Sequence, residues 1–240
     1  MMNIVITMGG LGKRFQKVGY KIPKYMINVN GKTLFEWSMK SLKNFYNDLF
    51  IFVVKKEDEA CSFIETKCKK LGIYDFKIVE IEHLTSGQAE TVLFAEKYWN
   101  LDEKLFIYNI DTYVEENVLN CAIIKGDGFI PCFKAQGDHW SFAKIDEFGK
   151  VIEVREKNRI SDNCSIGAYY FSSCKLYKEI YTNYYGDLKY IEKGEKYIAP
   201  MYNKMIELNY EVFIQNIPYK CVHVLGTPEE VENFKNANKI

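Results

Sequence analysis

Residues 1–24 read MMNIVITMGGLGKRFQKVGYKIPK, and the fold is decided within them. Asn3 to Thr7 carry an Ile-Val-Ile run with glycines just beyond it, the pattern of a short strand buried on both faces. The run empties into Met8-Gly9-Gly10-Leu11-Gly12-Lys13-Arg14. Three glycines within four positions let the backbone approach a ligand closely. Successive amide N–H groups in such a loop form a concave anion site, and Lys13 and Arg14 add two cations. Pro23-Lys24 supplies a third cation behind a rigid turn. Together these charges suit a triphosphate and the charge that develops when it is attacked. The plain alternative is an ordinary strand-turn with a solvated Lys-Arg pair. Gly9-Gly10-x-Gly12 lacks the G-x-G-x-x-G spacing of a dinucleotide site, and no G-K-[ST] triplet marks a P-loop.

Working outward, Asn30-Gly31 marks a turn. The spacing of Leu34, Trp37, Ser38, Ser41, Leu42 and Phe45 then predicts a helix over 33–45, with Thr33 and Glu36 as a capping box. Residues 49–54 form an unbroken apolar run, a central strand. A helix is expected over 57–71, closed by Gly72, then a strand over 76–81. A further helix over 85–98 precedes a strand over 105–108 that ends at Asn109-Ile110-Asp111-Thr112. Strands alternating with helices predict an α/β fold, its mainly parallel sheet covered on both faces. Ligands of such sheets bind beyond the carboxyl ends of the strands. The glycine loop, Ser86 to Glu90 and Asp111 all fall at such ends.

The second half is richer in short strands, at 129–133, 141–145, 151–155 and 166–171, with Glu147-Phe148-Gly149 as a hairpin turn. Helices are expected over 173–184 and 197–208, and strands over 212–214 and 221–225. Thr227-Pro228-Glu229-Glu230 opens a terminal helix running to Ala237. No repeat or linker interrupts the chain. One domain over 1–240 is expected, with 1–125 as a nucleotide-binding half and 126–240 as an acceptor-binding half.

Composition narrows the function classes. The 32 basic and 32 acidic residues cancel, so no global field draws a nucleic acid, and any anion site must be local. Seven scattered cysteines show no C-x-x-C pair, which favours reduced thiols in the cytoplasm. No signal-peptide pattern opens the chain and no run of about 18 apolar residues exists to span a bilayer. The chain is read as soluble. The oligomeric state is left open, a homo-oligomer included.

Three more stretches hold candidate chemistry. Asp111 ends an apolar strand, where it is either a Mg²⁺ ligand, hard cations preferring oxygen donors, or the N-cap of a segment over 112–120. Ser86-Gly87-Gln88 sits at a helix start, suiting a base or phosphate, or serving only as a tight cap. Glu156-Lys157 closes an alternating strand, a pair that in most proteins is merely solvated.

Strand, GGLGKRF loop and Pro-Lys together resemble the opening of the nucleotidyltransferases that make nucleotide sugars and related activated phosphates. SGQAE, NID, EK, GAYYF and LGTPEE follow in the family's order, so the resemblance covers most of the chain. It implies a three-layer Rossmann-like fold with a smaller β-rich acceptor-binding part. It also implies Mg²⁺-dependent transfer of a nucleoside monophosphate from an NTP to a phosphorylated acceptor such as a sugar 1-phosphate, releasing pyrophosphate. Arg14, Lys24 and Asp111 would be catalytic, with Asp111 on the metal. Met8, Gly9, Gly10, Gly12, Lys13, Ser86 and Gly87 would bind nucleotide, and Glu156, Lys157 and Gly167 the acceptor, the glycine leaving it room. Residues 197–203, YIAPMYN, resemble members serving capsule and surface-polysaccharide synthesis.

One departure stands out. Relatives carry Asp-x-Gly-Thr-Pro near the C-terminus, the Asp as second metal ligand, whereas this chain reads Val224-Leu225-Gly226-Thr227-Pro228. A valine binds no metal, so phosphates and water, or another acid, must complete the shell, or the enzyme is altered. His223 would face the other side of a strand and is given no metal role. Rival readings are a cytidylyltransferase for phosphocholine or a polyol phosphate, a glycosyltransferase and a non-catalytic nucleotide-sugar sensor. Asn109-Ile110-Asp111 offers one acid where a glycosyltransferase uses an Asp-x-Asp-like motif.

Overall fold

The computed structural model describes residues 1–191 and 194–237, and in it the opening run forms β1 (Met2–Thr7). After it come α1 (Lys13–Gln16), a hairpin of β2 (Asn28–Val29) and β3 (Lys32–Thr33), and α2 (Leu34–Lys40). The chain continues through β4 (Leu49–Lys55), α3 (Cys61–Leu71), β5 (Phe76–Ile81), α4 (Gln88–Leu93) and β6 (Lys104–Asn109). β7 (Thr112–Val114), β8 (Gly128–Lys134), β9 (Ser141–Ile145), β10 (Val151–Glu156), β11 (Asn163–Ser165) and β12 (Ala168–Phe171) follow. α5 (Cys174–Tyr185), α6 (Tyr202–Glu207), β13 (Val212–Asn216), β14 (Val222–Val224) and α7 (Pro228–Ala237) complete it.

Ten strands share one sheet in the order β10-β9-β11-β8-β12-β6-β1-β4-β5, with β13 paired to β8. β6, β1, β4 and β5 are parallel, as helical crossovers require. From β12 to β10 the ladder is antiparallel. The seam between the two regimes lies between β6 and β12.

Alternation along each strand supplies two cores. β4 turns Phe50, Phe52 and Val54 to one face and Ile51 and Val53 to the other. Phe35 and Met39 of α2 and Ile64 of α3 cover the first face; Ala89, Tyr177 and Met205, from α4, α5 and α6, cover the second. The result is three layers. A third cluster, with Phe15, Ile27, Leu34, Leu225 and Phe234, fastens α1, the hairpin and α7 together.

The capping box of α2 forms as expected: Glu36 N donates to Thr33 Oγ1 at 3.3 Å, and Thr33 N donates to Glu36 Oε2 at 2.8 Å. Glu36 is buried and paired with both Lys67 and Lys70 at 2.8 Å. Gly72 closes α3 in the left-handed region, φ 85°.

Several boundaries differ from expectation, each for a local reason. The helix predicted over 33–45 ends at Lys40, and a separate 3₁₀ turn spans Lys43–Phe45. Ser41 instead accepts from Val114 N at 2.8 Å, and Ser38 Oγ donates to the Ile110 carbonyl at 2.8 Å. The helix predicted from 57 starts at Cys61, because Glu59 turns left-handed, φ 47°. That predicted over 85–98 runs only from Gln88 to Leu93. The strand predicted over 166–171 begins at Ala168, after a kink at Gly167, and the preceding β11 was not foreseen. The segment after Asp111 is a strand, so Asp111 caps no helix there. Among the described residues no helix is long and apolar enough to cross a membrane.

Candidate active site

A cleft of about 620 Å³ opens at the carboxyl ends of β1 and β6. Met8, Gly9, Gly10, Gly12, Lys13, Arg14, Lys24, Ser86, Gly87 and Asp111 all line it. The nucleotide-side and metal residues of the sequence reading thus converge on one place.

The loop leaves β1 with Met8 N bonded to the Val53 carbonyl at 2.8 Å. Gly12 is left-handed, φ 61°, and its carbonyl accepts from Phe15 N at 2.9 Å, turning the chain into α1. A Cβ at Gly10 would meet nothing within 4 Å, so this glycine faces open space. Phe15 is buried in the third cluster and anchors α1, leaving Lys13 and Arg14 exposed at the rim. Among the described residues neither cation has an ion-pair partner. Lys24 opens a 3₁₀ turn behind Pro23, fixed by buried Tyr25, whose hydroxyl donates to Asp58 at 2.9 Å.

Lys24 Nζ meets Asp111 Oδ2 at 2.7 Å. The Asp111 loop is held from three sides: by Ser38 on Ile110, by Leu225 N on the Asp111 carbonyl at 2.8 Å, and by pairing of β7 with β14. Burial raises the Asp111 pKa, but Lys24, and to a lesser degree Arg14, outweigh it and hold the carboxyl below its ordinary value. It is therefore ionised at neutral pH. An ionised carboxylate facing a cleft beside a glycine, with Gly226 leaving open the space next to Oδ2, fits a hard divalent cation.

Gly87 has a different reason than ligand approach. Its φ is 140°, and a Cβ there would lie 2.5 Å from both N and O of Lys196. Lys196 N donates to the Ser86 carbonyl at 2.7 Å, and Ala89 N donates to the Lys196 carbonyl at 3.0 Å. The chain at Gly194 and Glu195 is thereby pinned against the cleft as part of its wall. Ser86 N and Oγ both donate to Glu90 Oε2, so Glu90 organises the turn.

Gln88 and Asn109 also line the cleft; the sequence reading named both within longer stretches but gave neither a role of its own. Gln88 Nε2 donates to Thr7 Oγ1 at 3.1 Å and to Asn109 Oδ1. Asn109 N in turn donates to the Gly167 carbonyl at 3.0 Å. Gly167 is left-handed, φ 79°, and its missing Cβ makes room for Asn109, whose Cγ would sit 2.8 Å away. In this structure the room at Gly167 is taken by a side chain. Glu156, Lys157 and Gly167 do not line the cleft. Glu156 accepts from Ser141 Oγ, and Lys157 Nζ donates to Tyr197 OH at 2.7 Å.

His223 stacks on Tyr113 with centroids 5.3 Å apart, and burial lowers its pKa against an opposing pull from Glu115. It lines a separate cavity of about 860 Å³ beside β14 and α7, with Phe133, Trp140, Tyr219 and Val224, which contains none of the glycine loop.

A glycine loop, exposed cations and a carboxylate–lysine pair at the ends of parallel strands fit a nucleotide-using transferase. Residues 3–216 match the family model described as nucleotidyl transferase, and the chain belongs to that family. It is 37% identical to the nucleoside-diphosphate-sugar pyrophosphorylase from Vibrio cholerae RC9, whose crystal structure matches with a TM-score of 0.91 over 97% of this chain and 99% of that one. The inositol-1-phosphate CTP transferase from T. maritima matches with a TM-score of 0.75 over 100% and 98% of the two chains; at 17% identity the likeness is one of fold. The bifunctional protein GlmU of Methanocaldococcus jannaschii is 21% identical over 208 residues, 86% of this chain and 47% of that protein. The chain thus spans about half the length of this curated relative.

Proposed function

We propose that this nucleotidyltransferase is Mg²⁺-dependent and joins a nucleoside monophosphate to a sugar 1-phosphate, making a nucleotide sugar for surface-polysaccharide synthesis in the cytoplasm. The observation that carries the reading is the cleft itself: two exposed cations on an open glycine loop line it together with a Lys24–Asp111 pair. The likeness to the Vibrio cholerae pyrophosphorylase supports the sugar-phosphate acceptor.

An acceptor phosphate oxygen attacks the α-phosphorus, the bond from that phosphorus to the bridging β-oxygen breaks, and pyrophosphate leaves with the electron pair. The acceptor is already a nucleophilic anion, so no general base is required, and positioning and charge stabilisation dominate. Loop amides from Gly9 to Gly12, with Lys13 and Arg14, hold the β- and γ-phosphates. Lys24 offsets charge at the α-phosphate. Asp111 would hold the divalent ion, which would supply charge neutralisation for the phosphates. On the far side of the Gly167 kink, Lys157 orients the acceptor phosphate and Glu156 its hydroxyls. On this reading the two halves of one domain divide the substrates between them.

The test is pyrophosphate release with Mg²⁺ and ATP, GTP, CTP, UTP or dTTP, each against a panel of sugar 1-phosphates, phosphocholine and polyol phosphates. Release with one nucleotide and one sugar 1-phosphate is expected. Release only with phosphocholine or a polyol phosphate would replace the acceptor. No release with any pair, while an NTP still raises the melting temperature, would overturn catalysis in favour of a sensor.

A further inference from the structure

Val224 stands where the resemblance expects a carboxylate, and it packs against the first core cluster. A different acid approaches Asp111. The place a Cβ would occupy on Gly226 lies 3.3 Å from Asp111 Oδ2 and 3.6 Å from Glu230 Oε2. With no side chain at Gly226, both carboxylate oxygens border the place its Cβ would take, Asp111 from the cleft and Glu230 from the wall of the cavity that His223 lines.

Glu230 Oε2 is buried and accepts no hydrogen bond among the described residues. That is a costly condition for a carboxylate oxygen unless a cation joins it. The position is fixed by the helix. Glu230 N donates to Thr227 Oγ1 at 3.2 Å in the first turn of α7, and Val231 and Phe234 of the same helix are buried in the third cluster. No group of three or more His, Cys, Asp or Glu is poised for a metal among the described residues. Mg²⁺ needs none, since it commonly takes one or two carboxylates with waters and substrate phosphates.

We propose that Glu230 supplies the second carboxylate for the divalent ion, facing Asp111 across Gly226, in place of an acid at position 224. The inference rests on the nucleotidyl-transfer reading of the cleft. It assigns a distinct task to the LGTPEE stretch: Gly226 keeps the space open and the turn of Thr227-Pro228 delivers the acid.

The test is titration with Mn²⁺ alone, without nucleotide, following the free-ion signal by electron paramagnetic resonance. Glu230→Gln and Asp111→Asn should each weaken binding about tenfold or more, because affinity follows ligand charge count. Glu229→Gln, on the exposed neighbour, should bind as the wild type does. Gln is accepted at this helix position, and melting without metal checks the fold. Gly226→Ala gives a second test, since its methyl group would fill the shared space and should weaken Mn²⁺ binding equally. Unchanged Mn²⁺ affinity in Glu230→Gln alongside loss in Asp111→Asn would overturn the inference, as would wild-type protein that binds no Mn²⁺. Failure of the catalytic reading looks different: Mn²⁺ binds to both carboxylates, yet no substrate pair releases pyrophosphate.

Discussion

Replacing Gly87 with alanine separates the wall of the cleft from the rest of the fold, and its cost follows from the geometry. At φ 140° an alanine is forced into backbone space nearly reserved for glycine, a strain of about 1–3 kcal/mol. Its Cβ would also lie 2.5 Å from Lys196 N and O, so that segment must retreat. Retreat breaks the bonds from Lys196 N to the Ser86 carbonyl and from Ala89 N to the Lys196 carbonyl, each contributing about 1 kcal/mol. The total is about 3–5 kcal/mol, which for a chain of this size lowers the melting temperature by roughly 10 °C. Because Ser86, Gly194 and Glu195 all line the cleft, KM for the nucleotide should rise more than kcat falls. Gly10→Ala is the matched control. Its Cβ would touch nothing, so melting should stay unchanged while nucleotide affinity drops. Differential scanning fluorimetry and steady-state kinetics on the two variants decide the matter. A Gly87→Ala protein with wild-type melting and wild-type KM would refute the reasoning.

Arg14→Ala and Lys24→Ala should each cut pyrophosphate release about 10²–10³-fold, the usual cost of losing one transition-state donor, with far-ultraviolet circular dichroism unchanged; near-normal rates in either would remove that residue from the mechanism. Glu36 should report on pH: burial raises its pKa, but Lys67, Lys70 and Thr33 together bring it from 4.5 to about 2. A depressed carboxylate stabilises the fold above its unfolded pKa and loses that contribution as pH falls through the folded one, so Glu36→Gln should cost about 3 kcal/mol in urea unfolding at pH 7 and progressively less between pH 4.5 and 2. Gly167→Ala, whose methyl would overlap Asn109, should lower kcat/KM, and an alanine variant with full activity would show that Asn109 has no fixed place in the site.

Much of this site was legible because its signals are local. The glycine loop, Pro23-Lys24 and the acid after β6 each announce themselves within a few residues, and the alternating apolar runs place them at one edge of the sheet. The capping box at Thr33 and Glu36 and the stop at Gly72 were readable for the same reason. Contacts between distant segments were not. Nothing near Gln88 indicates Thr7 or Asn109, since their meeting depends on β1 and β6 being neighbours. Gly87 and Gly167 looked like glycines that admit a ligand, but each makes room for protein, Lys196 in one case and Asn109 in the other. Ser38 and Ser41 were counted on an apolar face, where polar side chains were the clue that the Asp111 loop is fastened to that helix.

The chain of contacts from Thr7 through Gln88 and Asn109 to Gly167 acts as a brace across a joint. β6 ends the parallel run of β5, β4 and β1, and β12 is its antiparallel neighbour, so the brace sits where the pairing changes sense. One end is fixed to the strand that delivers the glycine loop, the other to the kink that leads into the proposed acceptor side. On the proposed division of substrates, this brace would set the spacing between them as the protein folds.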